Sequence, residues 1–162
     1  MIHEEIADFA AAIKPMQALA GLDYGDKTIG VAVSDTFQSV ATPLDTVRRG
    51  KKFTQDATAL EAMIKSRMIG GLVLGLPRNM DGTEGPRCQA TRAFARNLAR
   101  LPAFADLPIT FWDERLSTVA AERALLEADT SRRRRAEVID HVAAGYILQG
   151  ALDRLRHLRG AS

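Results

Sequence analysis

Residues 72–76 constrain the fold more than any other stretch. Leu72-Val73-Leu74-Gly75-Leu76 is an uninterrupted apolar run set between Gly70-Gly71 and Pro77. A strand with one wet face alternates polar and apolar residues, whereas a continuous run of this length needs cover on both faces. The chain is therefore read as α/β, a sheet with helices on both sides.

The neighbouring segments fill in that plan. Met16 to Asp23, the turn Tyr24-Gly25-Asp26-Lys27 and the β-branched Thr28 to Ser34 read as a β-hairpin. Ser39 to Val47 is a third extended stretch whose Pro43 suits an edge strand. Thr54 is placed to cap a helix with apolar positions Ala57, Leu60, Ile64 and Met68, stopped by Gly70-Gly71. The turn-rich Pro77 to Gly85 leads to a helix opening at Pro86, with a stripe of Ala90, Ala93, Phe94, Asn97, Leu98 and Leu101. Leu107 to Trp112 reads as the fifth strand, and Ser117 or Thr118 caps a helix through Glu127. A last helix follows the basic stretch Asp129 to Arg135 and runs to about Leu158. The order βββαβαβαα predicts a five-stranded mixed sheet, antiparallel first and parallel afterwards, as in ribonuclease H-like folds. Residues 1–15 are expected to add a helical extension, with Ile6, Phe9, Ala10 and Ile13 on one face, to a single domain spanning 16–160.

At 162 residues, 46% hydrophobic and 26% charged, the chain has the composition of one globular domain with a real core. A single cysteine, Cys88, excludes a disulfide framework and a zinc cluster of several thiolates, and it suits a reducing compartment. No apolar run approaches the roughly 18 to 20 residues of a membrane helix, and the opening MIHEEIADFA is acidic where a secretory signal is basic. A cytoplasmic location without membrane contact is expected. The net charge of +2 is unevenly spread, because Glu4, Glu5, Asp8, Asp23 and Asp26 oppose only Lys14 in the first 26 residues. Basic clusters follow at Arg48-Arg49-Gly50-Lys51-Lys52 and at Arg132 to Arg135. Such clusters attract polyanions, or serve as solvated loops.

The acids are more specific. Asp23 ends the first strand, Asp113 and Glu114 end the fifth, and Asp140 sits near the start of the last helix. Functional groups in open α/β sheets gather beyond the carboxyl ends of parallel strands, so the first two sites meet if strands one and five are neighbours. Asp140 shares a helix face with Ala143, Ala144, Ile147 and Ala151, small residues that let a helix approach a sheet closely. A carboxylate on that buried stripe is costly unless paired or bound to metal. Three converging acids call for divalent cations, and carboxylate and water donors suit Mg²⁺ or Mn²⁺. Two such ions about 3.5 to 4 Å apart can activate water and stabilise the leaving oxygen of a phosphodiester. The constellation points to hydrolysis of nucleic acid.

Each acid also has a plainer reading: Asp23 as a turn residue, Asp113 or Glu114 as a surface partner of Arg115, Asp140 as a helix-start acid. His3, His141 and His157 lack ligand spacing, and Cys88 has no evident partner base. The segment Gly75 to Gly85 lacks the lysine and hydroxyl of a nucleotide P-loop and reads as a flexible rim loop.

Four motifs, LDYGDKTIGVAVSD (Leu22 to Asp35), GLPRNMDGTEGP (Gly75 to Pro86), DERLST (Asp113 to Thr118) and IDHVAAGYILQGALD (Ile139 to Asp153), resemble the YqgF/RuvX family in order and spacing. The resemblance covers roughly residues 16 to 158. It implies a ribonuclease H-like fold and a metal-dependent, Holliday-junction-resolvase-like nuclease of cytoplasmic ribosome biogenesis, acting at the 5′ end of precursor 16S ribosomal RNA. Carried over, the family's acidic site falls on Asp23, on Glu114 ahead of Asp113, and on Asp140, holding Mg²⁺ or Mn²⁺. Lys27, Arg115, Arg132, Arg133, Arg134 and Arg135 are then the expected nucleic-acid contacts, with pre-16S RNA favoured over a DNA junction as partner. Thr28 stands where the family usually has arginine, and Lys27 beside it is the substitute charge.

Other classes remain open at this level. The chain could be a DNA junction resolvase or a non-catalytic RNA-binding assembly factor. Asp23-Tyr24-Gly25 before a hairpin also resembles the phosphate-binding loop of actin-type and sugar-kinase phosphotransferases, and a nucleotide titration separates that reading from the nuclease one.

Overall fold

The protein is described from a computed structural model covering residues 1–117, 119, 121, 125 and 132–160, of which 132–140 are described by backbone alone. Its elements are β1 (Ile2–His3), α1 (Ile6–Ala12), β2 (Ala20–Tyr24), β3 (Thr28–Ser34), β4 (Ala41–Arg48), α2 (Phe53–Arg67), β5 (Leu72–Leu76), α3 (Pro86–Ala99), β6 (Ile109–Asp113) and α4 (Arg132–Gly160). Single 3-10 turns occupy Pro102–Phe104 and Glu114–Leu116. Most of the helix expected over 118–127 lies outside the described residues.

The strands form one mixed sheet in the order β1-β6-β5-β2-β3-β4. β2, β3 and β4 are antiparallel neighbours, while β2–β5, β5–β6 and β6–β1 are parallel. The sheet thus has six strands among the described residues rather than five. The extra one is Ile2–His3, held beside Ile109 and Thr110, and two residues are too few to carry a period that sequence can reveal. His3 therefore lies on a strand and not in the N-terminal helix.

β5 is buried throughout, as its composition demands. Leu72, Leu74 and Leu76 face α2 and α3 together with Leu22, Ile29, Leu60, Phe94 and Leu98. Val73 faces the other side, where α1 and α4 supply Phe9, Ile13, Ala144, Ile147, Leu148 and Leu152. No helix among the described residues is long and apolar enough to cross a membrane.

Several local expectations are corrected. α2 begins at Phe53, with Thr54 already inside it, and Gln55 Oε1 accepts from the Lys52 N–H. Met68 is exposed and left-handed at φ 53°, so the helix stops there, before the glycines. α3 buries Cys88, Thr91, Phe94, Ala95 and Leu98, while Ala90 and Asn97 are exposed. The helix is turned relative to the expected stripe, with Cys88 in its core-facing row. α4 starts at Arg132, so the four arginines form its first turn instead of a preceding loop, and Asp140 lies two turns inside it.

Candidate active site

The sheet brings Asp23 and Glu114 to one end, by a route that differs from the expected one. β2 and β6 are not neighbours, because β5 lies between them. The registers Leu22↔Leu74 and Gly75↔Trp112 set Asp23, Gly75 and Trp112 in one row across three strands. Alternation directs that row toward α4: a Cβ on Gly21 would meet Leu148 at 2.6 Å, one on Gly75 would meet Ile147 at 2.4 Å, and Trp112 belongs to the α4-side core.

Gly75 leaves the room into which Glu114 reaches. A Cβ there would lie 2.8 Å from Glu114 Oε2, so the glutamate folds back over the sheet into space that any other residue would fill. Asp23 is 2% exposed and Glu114 4%, so both carboxylates are taken out of water. Asp140 lies three residues before Ala143, which with Ala144, Ile147 and Ala151 is fully buried against the sheet. Its side chain lies outside the described residues. Among those that are described, no group of three or more His, Cys, Asp or Glu is assembled as a metal cage. The donor set nevertheless fits a hard divalent cation, being carboxylate oxygen held in a glycine-floored recess.

Asp113 and Glu114 are adjacent in sequence and opposite in employment. Asp113 receives the Arg115 guanidinium on both oxygens, at 2.7 Å for Nη2 to Oδ2 and 3.1 Å for Nε to Oδ1, together with the Arg115 backbone N–H at 3.0 Å. The Arg115 side-chain hydrogen bond holds the Asp113 carboxyl below its usual range. Arg115, expected on nucleic acid, is thus committed to Asp113 and reaches the Met80 carbonyl at 3.4 Å. It ties the 77–85 loop to β6.

That tie is one link in an ionic rim. Arg78 spans Glu84 at 3.2 Å and Asp113 at 3.7 Å, and Arg92 grips Glu84 through two contacts and Glu4 at 2.6 Å. The Arg92 hydrogen bond pulls the Glu84 carboxyl below its ordinary range. Inside the loop, Asp81 accepts from the Thr83 N–H and hydroxyl, and Gly82 sits at φ 89°, a conformation side chains rarely take. The loop expected to be flexible from its glycines is thus tied to its surroundings by ion pairs and internal hydrogen bonds.

On the opposite flank, Lys27 is exposed at the β2–β3 turn. Arg49 lies over the Tyr24 ring at 4.5 Å and donates to the Gly25 and Asp26 carbonyls, so this arginine of the first basic cluster is a brace for the hairpin. Open clefts of about 300 and 350 Å³ adjoin there, sharing Arg48 as a wall, and the larger is lined by Thr28, Thr46 and His141. The His141 ring nitrogen Nδ1 and the Thr46 hydroxyl are 2.9 Å apart, joining α4 to β4 beside Asp140. The arginine side chains at 132–135 lie outside the described residues. Sequence reading missed Arg87, whose Nη2 lies 3.6 Å from Asp23 Oδ1; its place directly after the GLPRNMDGTEGP motif is the signal that could have flagged it.

The chain has similar relatives among known proteins. A relative from Ruegeria sp. (strain TM1040), named "Putative pre-16S rRNA nuclease", is 71% identical over 99% of this chain and 100% of its own length. One of the same name from Roseobacter denitrificans is 73% identical over 98% of this chain and 96% of its own. Among solved structures, T. thermophilus RuvC in complex with Holliday junction substrate matches with a TM-score of 0.52 at 12% identity, covering 89% of this chain and 96% of that one. That likeness is one of fold, the ribonuclease H-like architecture of a mixed sheet between helices. Residues 17–154 match the family model RuvX, described as Holliday junction resolvase, and with relatives this similar along their whole length the chain belongs to the RuvX family.

Proposed function

We propose that this protein is a cytoplasmic, metal-dependent endonuclease that hydrolyses phosphodiester bonds at the 5′ end of pre-16S ribosomal RNA. The observation that carries the reading is the pair of buried carboxylates, Asp23 and Glu114, converging over Gly75 beneath the helix that bears Asp140. The name borne by relatives about 70% identical supports the substrate. Asp23, Glu114 and Asp140 would hold Mg²⁺ or Mn²⁺, which supplies Lewis acidity toward an attacking water and a leaving oxygen.

The chain's own groups do the rest. Burial removes solvent screening around the two carboxylates, so a cation bound there would be attracted more strongly than in water. Arg115 and Arg78 occupy Asp113 and keep it from competing with Glu114 for the same cation. Lys27 and Arg132 to Arg135 bind flanking phosphates, contacts that position the substrate without reading its bases.

The test is incubation of the pure protein with a pre-16S leader RNA, a four-way DNA junction and single strands, each with Mg²⁺, Mn²⁺ or chelator. Leader cleavage that requires metal is expected. Asp23→Asn, Glu114→Gln and Asp140→Asn should each abolish it while keeping the wild-type circular dichroism spectrum. Cleavage of the junction alone would favour the second reading, a DNA resolvase, which the family description itself raises. Full activity in all three variants would remove the site.

A further inference from the structure

Arg87 stands in the first turn of α3, its side chain 46% exposed, with Nη2 3.6 Å from a carboxylate that is 2% exposed. The pairing differs from the hydrogen-bonded ones around the site, and from the similarly long contact of Arg78 with Asp113 at 3.7 Å in that its guanidinium is the more exposed, 46% against 29%. Arg115 and Arg92 hold their acids through hydrogen bonds of 2.6 to 2.8 Å, whereas Arg87 is in ionic contact with Asp23 at a distance beyond hydrogen bonding. A buried carboxylate needs a nearby cation, and a half-exposed guanidinium at this range supplies one that water and phosphate can also reach.

From this geometry we propose that Arg87 is a displaceable counter-ion and a positioning residue for substrate. It balances Asp23 in the cation-free protein and turns to a substrate phosphate when a divalent cation takes its place. The idea rests on Asp23 being a metal ligand, as in the reading above. Arginine suits the exchange because its planar fork pairs equally with carboxylate and phosphate. An unloaded enzyme then spends this cation on itself, and binding of metal releases it to the nucleic acid. Metal and RNA become coupled ligands through one side chain.

The experiment measures Mn²⁺ binding by calorimetry, and binding of a short single-stranded RNA in EDTA or in Ca²⁺, for wild type, Arg87→Ala, Arg87→Lys and Asp23→Asn. Removing a competing cation should tighten Mn²⁺ in Arg87→Ala by about fivefold, the upper end for a half-exposed ion pair. The same variant should bind RNA more weakly in Ca²⁺, with the slope of log affinity on log salt reduced by about 0.7, and nearly normally in EDTA. Arg87→Lys should restore most of both. Asp23→Asn should weaken Mn²⁺ and, by freeing Arg87, strengthen RNA binding in EDTA. A purely structural arginine would move metal and RNA affinity in the same direction. If Arg87→Ala leaves Mn²⁺ affinity unchanged or lowers it while Asp23→Asn shows its defect, the exchange is wrong and the metal site stands. If Asp23→Asn binds Mn²⁺ like wild type, the metal-ligand reading falls and takes the exchange with it.

Discussion

The two faces of the sheet are packed by different rules. Toward α2 and α3 the strands present Leu22, Ile29, Val31, Leu72, Leu74 and Leu76, and the helices answer with Leu60, Phe94 and Leu98. Toward α4 the sheet presents Gly21, Ala32, Val73 and Gly75, and between the larger Ile147, Leu148 and Leu152 the helix sets Ala143, Ala144, Gly150 and Ala151. One face is thick and insulated. On the other the backbone of a helix approaches within what a methyl group would occupy, since a Cβ on Gly21 would lie 2.9 Å from the Ala144 carbonyl oxygen. Asp23 and Glu114 lie on the close face, where Gly75 leaves room for a carboxylate.

If that contrast is right, damage to the two faces should separate stability from chemistry. The largest loss of stability is expected on the thick face: Leu60→Ala removes a fully buried side chain and should cost about 2 to 5 kcal/mol, read by urea unfolding. The cleavage rate of its folded fraction should stay near wild type. Gly75→Ala should cost about 1 to 3 kcal/mol through overlap with Ile147 and Glu114, yet slow cleavage on the order of a hundredfold by moving the glutamate. Equal effects of the two substitutions on rate per folded molecule would end the comparison. Ala144→Leu against Ala144→Ser sharpens it: the first should resemble Gly75→Ala, and the second, similar in size to alanine, should be nearly silent in both melting temperature and rate.

The smallest effect is expected far from the acids. Asp35, after β3 at the opposite end of the sheet, accepts from the Val40 and Ser39 N–H groups at 2.8 Å and from the Ser39 hydroxyl at 2.7 Å. The Val40 hydrogen bond leads in lowering its carboxyl from 3.8 to about 2. A depressed carboxyl stabilises the fold above its unfolded value and ceases to do so as pH falls through its folded one. The melting-temperature gap between wild type and Asp35→Asn should therefore be largest well above pH 4 and narrow as pH falls through about 4 toward about 2. A gap that does not narrow over that range would mean the carboxylate charge is irrelevant to that turn.

How much of this was legible depended on whether a signal was local. β3 and β5 follow from β-branched and apolar runs, and their bounds agree with the structure. The buried face at Ala143, Ala144, Ile147 and Ala151 follows from helical spacing. The contribution of Gly75 did not, because it depends on which strand lies between β2 and β6, and strand order is not written in any local pattern. The preference for Glu114 over Asp113 came with the family resemblance, whereas its physical accompaniment, Arg115 from two residues away and Arg78 from thirty-five meeting on Asp113, is not a local pattern. Arg87 has no periodic signature, only its place directly after the GLPRNMDGTEGP motif, and the 3.6 Å to Asp23 is what gives that place meaning.

The two margins of the sheet have a consequence beyond the active end. An exposed strand edge is a ladder of unpaired amides on which a second chain can build. At one margin β1 offers two residues, and at the other β4 carries Pro43, which has no amide hydrogen to give, opposite Ala32 where the register shifts around Leu44. Neither margin provides a long, regular template, so copies crowded together while refolding have little strand to exchange. The molecule can keep its sheet ends open to a polyanion without leaving its sheet sides open to itself.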